Sequence, residues 1–244
     1  MKFIEKFNMD IQGIIKNGSI NIVLFGDSVT HGALNGYYNY DTVYWNLLRQ
    51  KLNKLRDSVP VNMINSGIGG TSAEGSIARI DRDILSYHPD IVIVCFGLND
   101  INAPLEGYMR GLRIIFERVL ECVDNVIFMT PNMLNTYVAE DTKPELCTYA
   151  KVTAEYQNSG RMDTYMKAAI NLANDMGVRV CDAYGEWKKM YESGVDTTKL
   201  LINRINHPVP EMHKLFADML FDIITKDFDI NSESANSMYQ GEKK

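Results

Sequence analysis

Four short stretches of this chain carry residues able to do chemistry together. "VLFGDSVTHG" places Ser28 two residues after an apolar run stops at Gly26. "NSGIGGTS" supplies Gly70, "GLND" supplies Asn99, and "NRINHP" supplies His207. A serine hydroxyl becomes a nucleophile when a base takes its proton, and histidine is the usual base near neutral pH. Acyl transfer also needs N–H donors aimed at the oxyanion that develops. The backbone of Ser28, the unencumbered backbone of Gly70 and the side-chain amide of Asn99 can supply them. One by one such clusters are ordinary turns and caps. Together they ask for one fold that brings all four to the same place.

The chain has a pattern that does so. Five short apolar runs, Ile20–Phe25, Val61–Ser66, Asp90–Phe96, Asn125–Thr130 and Gly177–Ala183, are rich in Val and Ile. The first, third and fourth are nearly continuous, as expected of parallel strands covered on both faces. Between and after them lie helical repeats over Tyr44–Leu55, Gly111–Val123, Met162–Met176 and Pro210–Ile224. Alternating strands and helices predict a doubly wound parallel sheet, whose ligands bind beyond the carboxyl ends of the strands. Three of the four stretches stand at such ends. The stretch Asn135–Gly160 is long for a connector and reads either as a partly helical excursion or as a loop.

Other chemistries fail on the same letters. Thr30 stands where a G-x-S-x-G elbow needs glycine, and Ser72 where a G-x-G-x-x-G fingerprint would need its third. Cys95, Cys122, Cys147 and Cys181 have no CxxC spacing, and His207 and His213 lack zincin spacing. A net charge of −6 with no basic block gives no reason to expect nucleic acid. No apolar stretch reaches the 18 or so residues of a membrane span, and the N-terminal segment lacks the apolar core of a signal peptide. These features predict a cytoplasmic protein with reduced thiols, one domain over residues 1–230 and a disordered tail over 231–244. Oligomeric state is not readable from the sequence.

In combination the four blocks resemble the SGNH (GDSL) hydrolases, a family of esterases, lipases and acetylesterases. The resemblance spans most of the chain and implies a flavodoxin-like three-layer α/β/α sandwich around a five-stranded parallel sheet. It implies Ser28 as nucleophile, His207 as base, and Ser28, Gly70 and Asn99 as the oxyanion hole. It implies hydrolysis of a small-molecule carboxylic ester through an acyl-enzyme, with no cofactor and no metal. Short acyl groups such as O-acetyl on carbohydrates are the expected substrates. The alternatives are a lysophospholipase or lipase-type acylhydrolase, and a non-catalytic binder on the same fold. One position departs from the family: Arg204 stands where an aspartate is usual, three residues before the histidine. Two groups then compete to orient the imidazole, a backbone carbonyl such as that of Arg204 or an acid from elsewhere such as Asp196. Of the remaining polar residues, Asp27 reads as a turn and cap, His31 as pocket wall, His88 as surface loop and His213 as a packed or capping side chain.

Overall fold

The computed structural model describes residues 3–226. Five strands, β1 (Ile20–Gly26), β2 (Val61–Gly67), β3 (Ile91–Cys95), β4 (Val126–Met129) and β5 (Arg179–Cys181), form one parallel sheet in the order β2-β1-β3-β4-β5. Among the described residues the α-helices are α1 (Phe3–Phe7), α2 (Ile11–Asn17), α3 (Ser28–His31), α4 (Tyr44–Leu55), α5 (Ile80–Asp83), α6 (Leu105–Leu120), α7 (Cys147–Asn158), α8 (Arg161–Asp175), α9 (Ala183–Glu192) and α10 (Pro210–Thr225). Every residue of β3 and β4 is buried, which explains why those runs do not alternate.

The strand order decides where a site can form. From β1 the chain steps one way to β2, returns past β1 to β3, and continues outward to β4 and β5. Right-handed crossovers then place the β1–β2 connection on one face and the later connections on the other. Accordingly α4 packs with α10 in one layer, while α6 packs with α8 in the other. The crevice of such a sheet opens where the order reverses, beside β1. Gly26, the last residue of β1, is in register with Gly67 of β2 on one side and Cys95 of β3 on the other. The three strand ends that carry Ser28, Gly70 and Asn99 are therefore neighbours.

The excursion after β4 is partly helical, as one of the two readings has it: α7 fills its second half. Its irregular first half is tied down by Asn135, whose Nδ2 donates to the carbonyls of Tyr137 and Ala150 at 2.9 and 2.8 Å. The expected helix at Gly111 begins earlier, at Leu105, because Pro104 supplies an extended residue that starts the first turn. The expected tail 231–244 lies outside the described residues. Among the described residues no helix is long and apolar enough to cross a membrane.

Candidate active site

The chain turns sharply after β1 because Asp27 caps α3, its Oδ1 accepting from the Val29 N–H at 3.0 Å. That carboxyl is fully buried, and burial pushes its pKa up to about 7. It is not among the residues lining the cleft and holds the turn, as expected of a cap. Ser28 follows as the first residue of α3. The short helix is fixed from α4: the Tyr44 hydroxyl lies 3.0 Å from Thr30 Oγ1, and Trp45 Nε1 donates to the Thr30 carbonyl at 2.9 Å. Tyr44 itself is fully buried and stacks on His213. His213 accepts from the Tyr44 N–H through Nδ1, and burial pushes its pKa down to about 4, so it is a neutral packing group.

The end of β2 runs against α3 so closely that a Cβ on Gly67 would lie 2.4 Å from the His31 nitrogen. The loop then crosses over Ser28 and turns at Gly70, whose φ of 77° lies in the left-handed region. A Cβ there would meet nothing within 4 Å, so conformation rather than room selects glycine at this position. After β3, Asn99 points one N–H of its amide at the Thr71 carbonyl, 3.0 Å away, and has a second N–H to give. Asp100 steadies this junction by accepting from the Ala73 N–H at 2.8 Å, and burial pushes its pKa up to about 6.

His207 arrives on a loop between β5 and α10 that Asn203 organises. Asn203 Oδ1 accepts from the N–H groups of Ile205, Asn206 and His207 at 3.0–3.1 Å. His207 Nε2 lies 3.0 Å from Ser28 Oγ, and Nδ1 lies 2.7 Å from the Leu34 carbonyl oxygen. A carbonyl only accepts, so Nδ1 carries the proton. Nε2 then offers its lone pair to the Ser28 hydroxyl. Burial holds the imidazole below its ordinary pKa, partly offset by the Leu34 carbonyl, so it is neutral and basic at pH 7.

The orienting group is thus a backbone carbonyl, as the first of the two expectations has it, but that of Leu34 rather than Arg204. The Arg204 side chain grips Asp141 through Nε and Nη2 at 2.8–3.0 Å, while its Nη1 donates to the carbonyls of Lys199 and Leu201. Asp196 accepts from the Tyr137 hydroxyl at 2.7 Å and caps the turn at Thr197. Leu34 enters instead from the turn after α3, where Ala33 bridges Tyr38 and the Leu34 N–H donates to the Tyr37 carbonyl. A main-chain acceptor has no side-chain signature, which is why the sequence does not say which residue supplies it. Asn203, four residues before the histidine, is the one legible sign of how that loop is held.

Ser28, Gly70, Asn99 and His207 line one open cleft of about 540 Å³. Leu34, Tyr38, Lys143 and Tyr149 add to its walls, the last two from the excursion after β4. His31 stands behind Tyr38, ring centroids 4.1 Å apart, rather than in the cleft wall expected of it. His88 is exposed in a surface loop, with a φ of 46°.

If the Leu34 carbonyl suffices to orient the imidazole, no nearby acid completes a triad. Asp196→Asn, Glu211→Gln and Asp218→Asn should each cost less than about tenfold in kcat, or about 1.4 kcal/mol. A loss of about 10⁴-fold in any of them, measured on a chromogenic ester, is the signature of a triad acid and would refute the two-residue arrangement. The pH profile offers a second check. The base form of His207 exists above its pKa, which lies below the ordinary 6.5. The acid limb of kcat/KM should therefore have its midpoint below pH 6.5; a midpoint above 7 would show a charge-stabilised imidazole instead.

The ends of the first three strands of a parallel sheet and the last loop converge on a serine–histidine pair with donor groups beside it. The chain belongs to the GDSL-like lipase/acylhydrolase family, whose model matches residues 24–215. It is 33% identical over 95 residues to the uncharacterized lipoprotein YqeF of Bacillus subtilis (strain 168) and 26% identical over 126 residues to an acetylxylan esterase of Geobacillus stearothermophilus. These matches cover 38% and 46% of the chain, and the chain spans only 37% and 57% of the two relatives. Among solved structures it resembles Axe2, an acetylxylan esterase from Geobacillus stearothermophilus, at 19% identity and a TM-score of 0.64 over 86% of this chain and 94% of that one. LAE5, from the metagenome of Lake Arreo, Spain, matches at 20% identity and a TM-score of 0.63 over 82% and 93%. At such identities these structures share the fold.

Proposed function

We propose that this protein removes short acyl groups from esters, O-acetyl groups on carbohydrates foremost. In this reading Ser28 Oγ attacks the ester carbonyl while His207 Nε2 takes its proton. The Ser28 N–H, the Gly70 N–H and the free N–H of the Asn99 amide hold the oxyanion. His207 then protonates the departing alcohol, and water activated by the same imidazole releases the acid. The observation that carries the reading is the 3.0 Å contact between Ser28 Oγ and His207 Nε2, with Nδ1 already fixed by Leu34. Solved variants of Axe2 altered at a serine and at a histidine are described as catalytic mutants, which supports the same division of labour here.

The carbohydrate substrate is favoured by two features. Acetylxylan esterases recur among the similar proteins. In a lining of which apolar atoms form the larger part, Asn35, Lys143, Glu145 and Asn206 offer polar groups to a sugar, beside the half-exposed ring of Tyr38. Apolar ring faces with polar tips suit a sugar better than an acyl chain. Rates on p-nitrophenyl acetate, butyrate and octanoate test this. The expected kcat/KM falls at least tenfold from acetate to octanoate. A rise with chain length would favour the lipase-type alternative.

A further inference from the structure

One guanidinium bridges the two strand ends that lead into the Ser28 and Gly70 loops. Arg79 is the last residue of the 3₁₀ turn Glu74–Arg79 that follows the Gly70 loop, and it is 8% exposed. Its Nη1 donates to the Ser66 carbonyl at 2.6 Å and to Asp83 Oδ2 at 3.2 Å. Its Nη2 donates to the Gly26 carbonyl at 3.2 Å and to Ser76 Oγ at 3.2 Å, with Thr71 Oγ1 at 3.5 Å. The guanidinium carbon lies 4.1 Å from the centroid of the Phe25 ring, so the plane is held between that ring and the two strand ends.

These partners are not scattered. Gly26 is two residues before Ser28. Ser66 is the penultimate residue of β2, whose continuation turns at Gly70. Thr71 is the residue whose carbonyl takes the Asn99 amide. The same Gly26 carbonyl also accepts from the Ile68 N–H at 3.0 Å, so the β1 end and the Gly70 loop meet at one oxygen. Carbonyls at strand ends point out of the ladder and need donors. Water could satisfy each separately, but it would not set their relative positions. A planar fork with several donors can reach two carbonyls and a hydroxyl at once from one rigid group, whereas an ammonium reaches them only as a point charge. Displacements of about 1 Å at reacting groups can cost a hundredfold in rate, so this setting matters to chemistry as well as to folding.

We propose that Arg79 is a positioning residue for the oxyanion hole: it sets the spacing of the Ser28 and Gly70 loops, the second of which carries the Thr71 carbonyl that receives the Asn99 amide, without touching substrate. The proposal rests on the ester-hydrolase reading. Its first test is Arg79→Lys, assayed on p-nitrophenyl acetate beside wild type and Ser28→Ala. Lysine keeps the charge opposite Asp83 and loses the fork. The expected result is a kcat lower by ten- to a hundredfold with KM within about twofold and near-UV circular dichroism unchanged. The second test is Arg79→Ala, which vacates a guanidinium-sized space above Phe25. Guanidinium chloride at low millimolar concentration should restore its rate several-fold and leave Ser28→Ala unaffected.

Wild-type kcat in Arg79→Lys overturns the proposal. So does a rate loss that merely follows the unfolded fraction, as does unfolding of both variants, since each makes Arg79 a stability residue. Absence of hydrolysis in wild type, by contrast, would sink the ester-hydrolase reading itself.

Discussion

Ser28→Ala should lower kcat on p-nitrophenyl acetate by roughly 10⁴- to 10⁶-fold, which corresponds to roughly 5–8 kcal/mol of lost transition-state stabilisation. The size follows from the geometry. The Ser28 hydroxyl is the one group in the cleft bonded to an imidazole whose far nitrogen is already committed, so no second nucleophile stands ready. His207→Ala should cost a similar amount, and the double variant little more than either single one, because nucleophile and base act as a unit. The backbone N–H of Ser28, the Gly70 loop and Asn99 survive all three changes, so a residual rate above buffer is expected from binding and oxyanion stabilisation alone. Thermal unfolding separates this from misfolding: Ser28→Ala deletes one hydroxyl and should keep its Tm within a few degrees. Equal, background-level rates in wild type and Ser28→Ala would leave the cleft as a binding site on a hydrolase fold. That outcome would revive the non-catalytic alternative.

Much of this was legible because strand ends are. The runs Ile20–Phe25 and Asp90–Phe96 are apolar without alternation, which marks strands buried on both faces, and each stops at a glycine followed by polar residues. The doubly wound rule then places those residues at one rim. The helix Tyr44–Leu55 was readable to the residue, and Pro210–Ile224 and Met162–Met176 to within one residue at each end. Less was legible where the decisive group is main chain or where a short element is fixed by its surroundings. Leu34 orients His207 through a carbonyl that any residue would carry. The helix Ala183–Glu192 hides behind a mixed pattern, although Asp182 caps it and Trp187 is fully buried. Arg204 illustrates the limit from the other side: its departure from the family pattern was plain, but the replacement for the missing acid came from Leu34, 173 positions before His207. The tyrosines after the nucleophile also divide only in three dimensions. Tyr44 is buried against Thr30 and His213, while Tyr37, Tyr38 and Tyr40 are half-exposed.

Asn99→Ala is the second large effect, and its size tells what Asn99 does. Removing one oxyanion donor costs roughly 10²- to 10³-fold in kcat, or about 3–4 kcal/mol, when the donor acts in a site that excludes water. KM should change little, because the neutral ester carbonyl gains less from the donor than the oxyanion does. Asn99 has a second task, however. The N–H given to the Thr71 carbonyl holds the Gly70 loop, so alanine removes a donor and loosens a neighbour at once. Asn99→Asp separates the two. It keeps the shape, loses the donors and places negative charge where the oxyanion forms. If the amide acts on the reacting oxygen, Asn99→Asp should be slower than Asn99→Ala at every pH above the carboxyl's ionisation. If Asn99 serves only to anchor Thr71, the two variants should fall by the same factor, and a common drop of less than tenfold would remove Asn99 from the oxyanion hole.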